Sequence, residues 1–195
     1  MSTNIEIEVK TLITKSEYDR VLEFFKNEKR EAVCQTNYYI DTKDADLKKH
    51  EVSLRVRQLN GLVMTLKTPL SEGLLEKSQL ISEHEFMAFR EKGVFPNGTI
   101  SEFIERLYIE PTSLTILAQL TTSRINITYN GYLLAVDQNE YANEVDYELE
   151  MEGSSLEKAR FFLEEVCEKV GIKFVENKIS KQKRALIAHR KIQKD

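Results

Sequence analysis

Asn4-Ile5-Glu6-Ile7-Glu8-Val9-Lys10 alternates strictly, with Ile5, Ile7 and Val9 on one face and Glu6, Glu8 and Lys10 on the other. Period two marks a strand with one apolar and one polar face. The pattern returns at 144–152, where Val145, Tyr147, Leu149 and Met151 alternate with Asp146, Glu148 and Glu150. Between these ends, 51–59 sets Arg55 and Arg57 against Leu54 and Val56, and 62–67 sets Thr65 and Lys67 against Met64 and Leu66. Arg124 and Asn126 stand against Ile125 and Ile127 in 121–129. Asn60-Gly61 and Asn130-Gly131 separate two pairs of such segments, the strongest short-range hairpin signal. With further strands at 33–41, 74–81 and 132–137, eight strands are expected, mostly in hairpins.

Helices fill the intervals. Thr14-Lys15-Ser16-Glu17 reads as a capping box, and Tyr18, Val21, Leu22 and Phe25 follow at helical spacing, predicting a helix to about residue 30. Ser154 to Glu157 caps a second helix, which carries Leu156, Phe162, Leu163, Val166 and Val170 and stops at Gly171. Short helices are expected at 83–91 and 101–107, and a basic one over 180–190. The class is α+β, with an antiparallel sheet or barrel and flanking helices, in one domain over 1–195.

Composition narrows the function. The chain has 195 residues, 28 Lys and Arg against 32 Asp and Glu, and a net charge of −4, which gives no general attraction to nucleic acid or to a membrane surface. Residues 1–10 carry no apolar stretch of the kind a signal peptide needs, and no run approaches the length of a membrane helix. A soluble cytoplasmic protein is the expectation. Cys34, in a strand, and Cys167, on a helix's apolar stripe, read as two buried thiols. His50, His84 and His189 lack ligand spacing, so no zinc site is expected.

The charge is abundant, nearly balanced and ordered. Arginines gather on one hairpin, while carboxylates gather on the first and last strands. A solvated polar face explains any single strand. It explains less well why like charges recur at i, i+2 on one face, where they repel. A ligand would compensate such pairs. Glu-x-Glu suits a hard divalent cation, and Arg-x-Arg with lysines suits phosphate oxygens. A closed barrel with its charged face inward would bring both sets round one cavity.

These residues resemble the CYTH domain of the triphosphate tunnel metalloenzymes. Glu6-Ile7-Glu8-Val9-Lys10 is similar to its Glu-x-Glu-x-Lys opening. The segment Asn37-Tyr38-Tyr39-Ile40-Asp41-Thr42, then Leu54-Arg55-Val56-Arg57, then Thr65-Leu66-Lys67 follow in the family's order. Arg124, Asp137, Glu148-Leu149-Glu150 and Ser180-Lys181-Gln182-Lys183-Arg184 complete the series. It most resembles the short, stand-alone CYTH proteins of Gram-positive bacteria.

The resemblance implies an eight-stranded antiparallel tunnel with a charged interior, a small triphosphate-containing substrate, and Mg²⁺ or Mn²⁺ as cofactor. It implies Glu6, Glu8, Glu148, Glu150 and Asp137 as metal carboxylates, up to four of them crowding one position. Lys10, Arg55, Arg57, Lys67, Arg124, Lys181 and Arg184 would clamp the phosphates. Glu150 would orient the attacking water, and Lys10, Arg55 and Arg57 would stabilise charge in the reaction. Hydrolysis of tripolyphosphate is the expected activity. A class IV adenylyl cyclase, a thiamine triphosphatase and a non-catalytic polyphosphate- or nucleotide-binding module are the alternatives, and a homodimer is left open. Where the family often places an arginine and paired acids, Ser78 to Glu85 has acids without arginine. Glu83 and Glu85 either join the tunnel or begin a helix, where acids suit the positive end of the dipole. Tyr38 and Tyr39 should face opposite ways, one toward the tunnel.

Overall fold

The computed structural model describes residues 2–69 and 74–192, with side chains for 7–69 and 75–192. Among the described residues the strands are β1 (Ser2–Glu6), β2 (Glu8–Ile13), β3 (Arg30–Asp41), β4 (Ser53–Gln58), β5 (Leu62–Pro69), β6 (Leu74–Ile81), β7 (Thr115–Tyr129), β8 (Tyr132–Tyr141) and β9 (Glu144–Glu152). The helices are α1 (Lys15–Phe24), α2 (Asp46–Lys49), α3 (Glu83–Lys92), α4 (Thr99–Arg106), α5 (Leu156–Lys169) and α6 (Lys181–Ile192). No described helix is long and apolar enough to cross a membrane.

All ladders are antiparallel, in the order β1-β6-β5-β4-β3-β7-β8-β9-β2. The two ends of that order are halves of one stretch of chain, parted at Ile7. The first half pairs with β6 and the second with β9, and the Ile7 carbonyl accepts from the Gly153 N–H at 3.1 Å. The expected first strand is therefore two strands. The sheet curls into a barrel-like ring of eight positions whose seam is the continuous chain, not a ladder between β1 and β2. Between β7 and β8, Asn130 and Gly131 have φ of 50° and 79°, the paired left-handed residues of a two-residue hairpin turn.

The outward faces are greasy because helices cover them. Val9, Leu134, Val136, Leu149 and Met151 pack with Val21, Leu163 and Val166 of α1 and α5. Ile40, Leu54, Val56, Met64 and Leu66 pack with Phe86 of α3 and Ile100 and Ile104 of α4. Helix α6 differs. Its Ala185 and Ala188 pack on Tyr39, Ala118, Leu120 and Tyr141, which lie on the inward side of β3, β7 and β8. Two alanines let the helix axis approach closely, so α6 fills one end of the ring.

Several boundaries depart from local reading. Helix α1 stops at Phe24, because Arg30 already pairs with Ile127 across β3–β7, and its guanidinium donates back to the carbonyls of Leu22 and Lys26. Strand β7 starts at Thr115, six residues before the expected 121, because β3 is long enough to pair with it. Helix α2 was not expected. It is held by the buried Asp41 carboxylate, which accepts from the backbone N–H of Thr42, Leu47 and Lys48. Glu83 and Glu85 begin α3, with Glu85 and Ser82 closing a capping box. Cys167 is buried, but Cys34 is exposed, contrary to expectation, in a part of β3 where residues 30–32 are exposed too.

Candidate active site

In a ring of eight, β4 and β9 stand four steps apart in either direction and so face each other. The arginine strand thus looks across the interior at the glutamate strand. The inward residues enclose a cavity of 290 Å³. Among the described residues its wall carries six cations: Lys10 of β2, Arg55 and Arg57 of β4, Lys67 of β5, Arg124 of β7 and Lys181 of α6. Glu8 of β2 and Glu150 and Glu152 of β9 supply carboxylates from two adjacent strands, in register Glu8 with Glu152 and Lys10 with Glu150. Tyr39 also faces the cavity, whereas Tyr38 packs outside against Phe86 with ring centroids 4.9 Å apart.

The cations differ in how far they are satisfied. Arg124 grips Asp137 with two hydrogen bonds of 2.7 Å and also donates to Glu150. Lys10 bonds Glu8 at 2.6 Å. Lys67 lies 3.3 Å from Glu76, and Arg55 only reaches the same carboxylate at 3.9 Å. The Arg55 Nε is buried without a hydrogen-bond partner. A buried guanidinium N–H left unsatisfied is costly, and an anion in the cavity would satisfy it.

The carboxylates do not crowd uncompensated round one point. Asp137 and Glu148 are fully buried, outside the cavity lining. Asp137 meets Arg124 and, at 2.9 Å, Lys181. Glu148 meets Lys181 at 2.8 Å, Arg184 at 2.9 Å and the Asn177 amide at 2.7 Å. Burial alone would raise the Glu150 pKa, but Lys181, Arg124 and Lys10 outweigh it and hold the carboxyl well below the usual range. Burial likewise opposes the charge of Lys181, yet Glu150, Asp137 and Glu148 push its pKa up. Arg184 does not line the cavity. It binds Asp146 and Glu148 and anchors the start of α6. Glu6 ends β1, and its side chain lies outside the described ones.

Residues 4–183 match the CYTH domain. The chain belongs to the CYTH family. It is 31% identical over 173 residues to the Bacillus subtilis protein named "Putative triphosphatase YjbK", covering 88% of this chain and 90% of that one. A Bacillus halodurans crystal structure described as a putative adenylate cyclase superposes with a TM-score of 0.84 at 34% identity, over 94% of this chain and 98% of that one. The fold is shared by a Hippeastrum protein, described as a putative adenylyl cyclase with a dominant triphosphatase activity (TM-score 0.77, 22% identity, 91% of this chain and 93% of that one).

Within this CYTH site, motif reading missed Glu76, Glu152, Asp146 and Gln182. Glu152 continues the alternation of Glu148 and Glu150 by one more step, and Glu76 sits opposite Lys67 in register. Both were available from period two. Asp146 accepts from Arg184, Asn139 and Tyr141, the last at 2.5 Å. Gln182 accepts from the Ser53 hydroxyl, also at 2.5 Å. Neither role is visible before α6 is docked.

The donor set can be tested against a divalent ion. Among the described residues no three His, Cys, Asp or Glu side chains form a ready-made metal cage. Glu8, Glu150 and Glu152 nevertheless offer hard oxygen donors on the cavity wall. Mg²⁺ is commonly held by one or two carboxylates, with substrate phosphates and water completing the octahedron. The residues present fit that arrangement.

Proposed function

We propose that this CYTH protein is a divalent-metal-dependent hydrolase of triphosphates, acting on inorganic tripolyphosphate and releasing orthophosphate. The observation that carries the reading is the buried, unpartnered Nε of Arg55 in a cavity wall of six cations facing carboxylates. The 290 Å³ volume is just under the roughly 300–1,000 Å³ of small-molecule sites, which suits a compact polyanion.

Arg55 and Arg57 present planar forks to phosphoryl oxygens, and Lys67 adds a point charge. Glu8, Glu150 and Glu152 would hold Mg²⁺ or Mn²⁺, which when bound supplies Lewis-acid polarisation of the phosphoryl oxygens. Asp137 and Glu148, already saturated by Arg124, Lys181, Arg184 and Asn177, support the wall from behind. Glu150 is ionised and a weak base, because its neighbours depress its pKa. Its part is to orient water and balance charge. Phosphoryl transfer asks little more of a protein, since its loose transition state is served by position and electrostatics.

Cyclisation of ATP is the second reading, favoured by the description of the Bacillus halodurans relative. Phosphate release from tripolyphosphate, ATP and thiamine triphosphate, with Mg²⁺ or Mn²⁺, decides, alongside a cyclic AMP assay. Fastest release from tripolyphosphate is expected. Robust cyclic AMP with little phosphate from tripolyphosphate would replace the reading, and binding without turnover of any of the three would make the protein a binding module.

A further inference from the structure

An ammonium group has three N–H donors. In Lys181 all three have a carboxylate within reach: Asp137 at 2.9 Å, Glu148 at 2.8 Å and Glu150 at 2.5 Å. Nothing is left over for a phosphate. The side chain comes from the first residue of α6, carried into the ring by the packing of Ala185 and Ala188 and by the Arg184 bonds to Asp146 and Glu148. Removing it would leave four carboxylates, Asp137, Asp146, Glu148 and Glu150, against Arg124, Arg184 and Lys10. The oxygens also stand at ammonium distances, wider than the 2.0–2.1 Å shell of Mg²⁺.

We infer that Lys181 is a built-in counter-cation that occupies Asp137 and Glu148, the two carboxylates behind the cavity wall, and excludes divalent metal from them. The metal is thereby confined to the carboxylates of the cavity wall, Glu8 and Glu152 with Glu150 shared between it and Lys181, where among the described residues no ready-made cage holds it alone. Tripolyphosphate must complete the shell, so metal binds with substrate and not before it. Lys181 acts here as a positioning residue, setting where the ion sits. The inference rests on the metal-dependent reading above, and its test does not use turnover.

The test is a Mn²⁺ titration followed by the electron paramagnetic resonance signal of the free ion, with and without tripolyphosphate or its non-hydrolysable imido analogue, each read against the same solution without protein because the phosphates themselves bind Mn²⁺, and paired with thermal melts. Wild type should take up Mn²⁺ weakly alone and tightly with tripolyphosphate. Lys181→Met should melt lower without metal. It should bind Mn²⁺ alone on the order of tenfold more tightly than wild type, the scale on which neighbouring groups alter metal affinity, and recover part of its melting temperature when Mn²⁺ is added. Adding Glu148→Gln should cancel that gain, and Lys181→Arg, which keeps the charge, should show no gain in affinity for Mn²⁺ alone. A folded Lys181→Met with no gain overturns the inference. If that variant does not fold, wild type decides: tight binding of Mn²⁺ alone that Glu148→Gln abolishes overturns it, and weak binding indifferent to that change upholds it. Failure of Mn²⁺ to bind wild type even with tripolyphosphate would count against the metal-dependent reading, while the gain in Lys181→Met would still judge the role of Lys181.

Discussion

Replacing Glu148 with glutamine removes one charge from a side chain that is 0% exposed and meets two cations and an amide. Two opposing effects are in play. Crowded carboxylates repel, and amidation would then relieve strain and stabilise the protein. Paired carboxylates attract their cations, and amidation would then weaken charge-assisted hydrogen bonds worth about 1.5–3 kcal/mol each. The distances favour the second. Lys181 lies at 2.8 Å and Arg184 at 2.9 Å, and the new amide N–H groups would face donors from Lys181, Arg184 or Asn177. The loss stays short of the about 3–5 kcal/mol of a fully orphaned buried charge, because Lys181 keeps Asp137 and Glu150 while Arg184 keeps Asp146. A destabilisation of about 2–3 kcal/mol follows, or about 4–12 °C in melting temperature for a chain of this length. Urea and thermal unfolding of the metal-free protein measure it. An unchanged or higher stability would refute the pairing and show that repulsion among the carboxylates outweighs it.

Arg55→Ala should reduce kcat/KM for tripolyphosphate by roughly 10–100-fold, the worth of one charge-assisted hydrogen bond, while barely moving the melting temperature, since its Nε has no partner to lose. Lysine at this position should rescue only in part, and a large stability loss with intact kinetics would remove Arg55 from the binding set. Glu150 has a folded pKa below the ordinary value of 4.5, so its contribution to stability is full above that value and is lost as pH falls toward the depressed one. Thermal melts should therefore drop steeply below about pH 4.5, less so in Glu150→Gln, and equal acid sensitivity in the two proteins would contradict the pairing. Under native conditions a thiol reagent should modify Cys34 and spare Cys167, whose thiol is buried and pushed up to about 12, as peptide mapping after labelling would show.

Sequence alone determined the features that depend on short spacing. Period-two alternation marked the strands and their polar faces, Asn60-Gly61 and Asn130-Gly131 set two hairpins, and Thr14 to Glu17 began α1, because each is decided within a few residues of backbone geometry. The charged inward face was legible for the same reason, as was the split of Tyr38 from Tyr39. Tertiary structure decided what depends on partners far along the chain. The parting at Ile7 follows from pairing with β6 on one side and β9 on the other, both distant in sequence. The early stop of α1 and early start of β7 come from the β3–β7 ladder, and the exposure of Cys34 from the lack of cover over one stretch of that ladder's outer face. Above all, alternation can say that Asp137, Glu148 and Glu150 point inward but not which charges they meet. That was settled when α6 docked through Ala185 and Ala188 and carried Lys181 and Arg184 to them, turning a set of carboxylates that looked ready for metal into one largely neutralised by the protein's own cations.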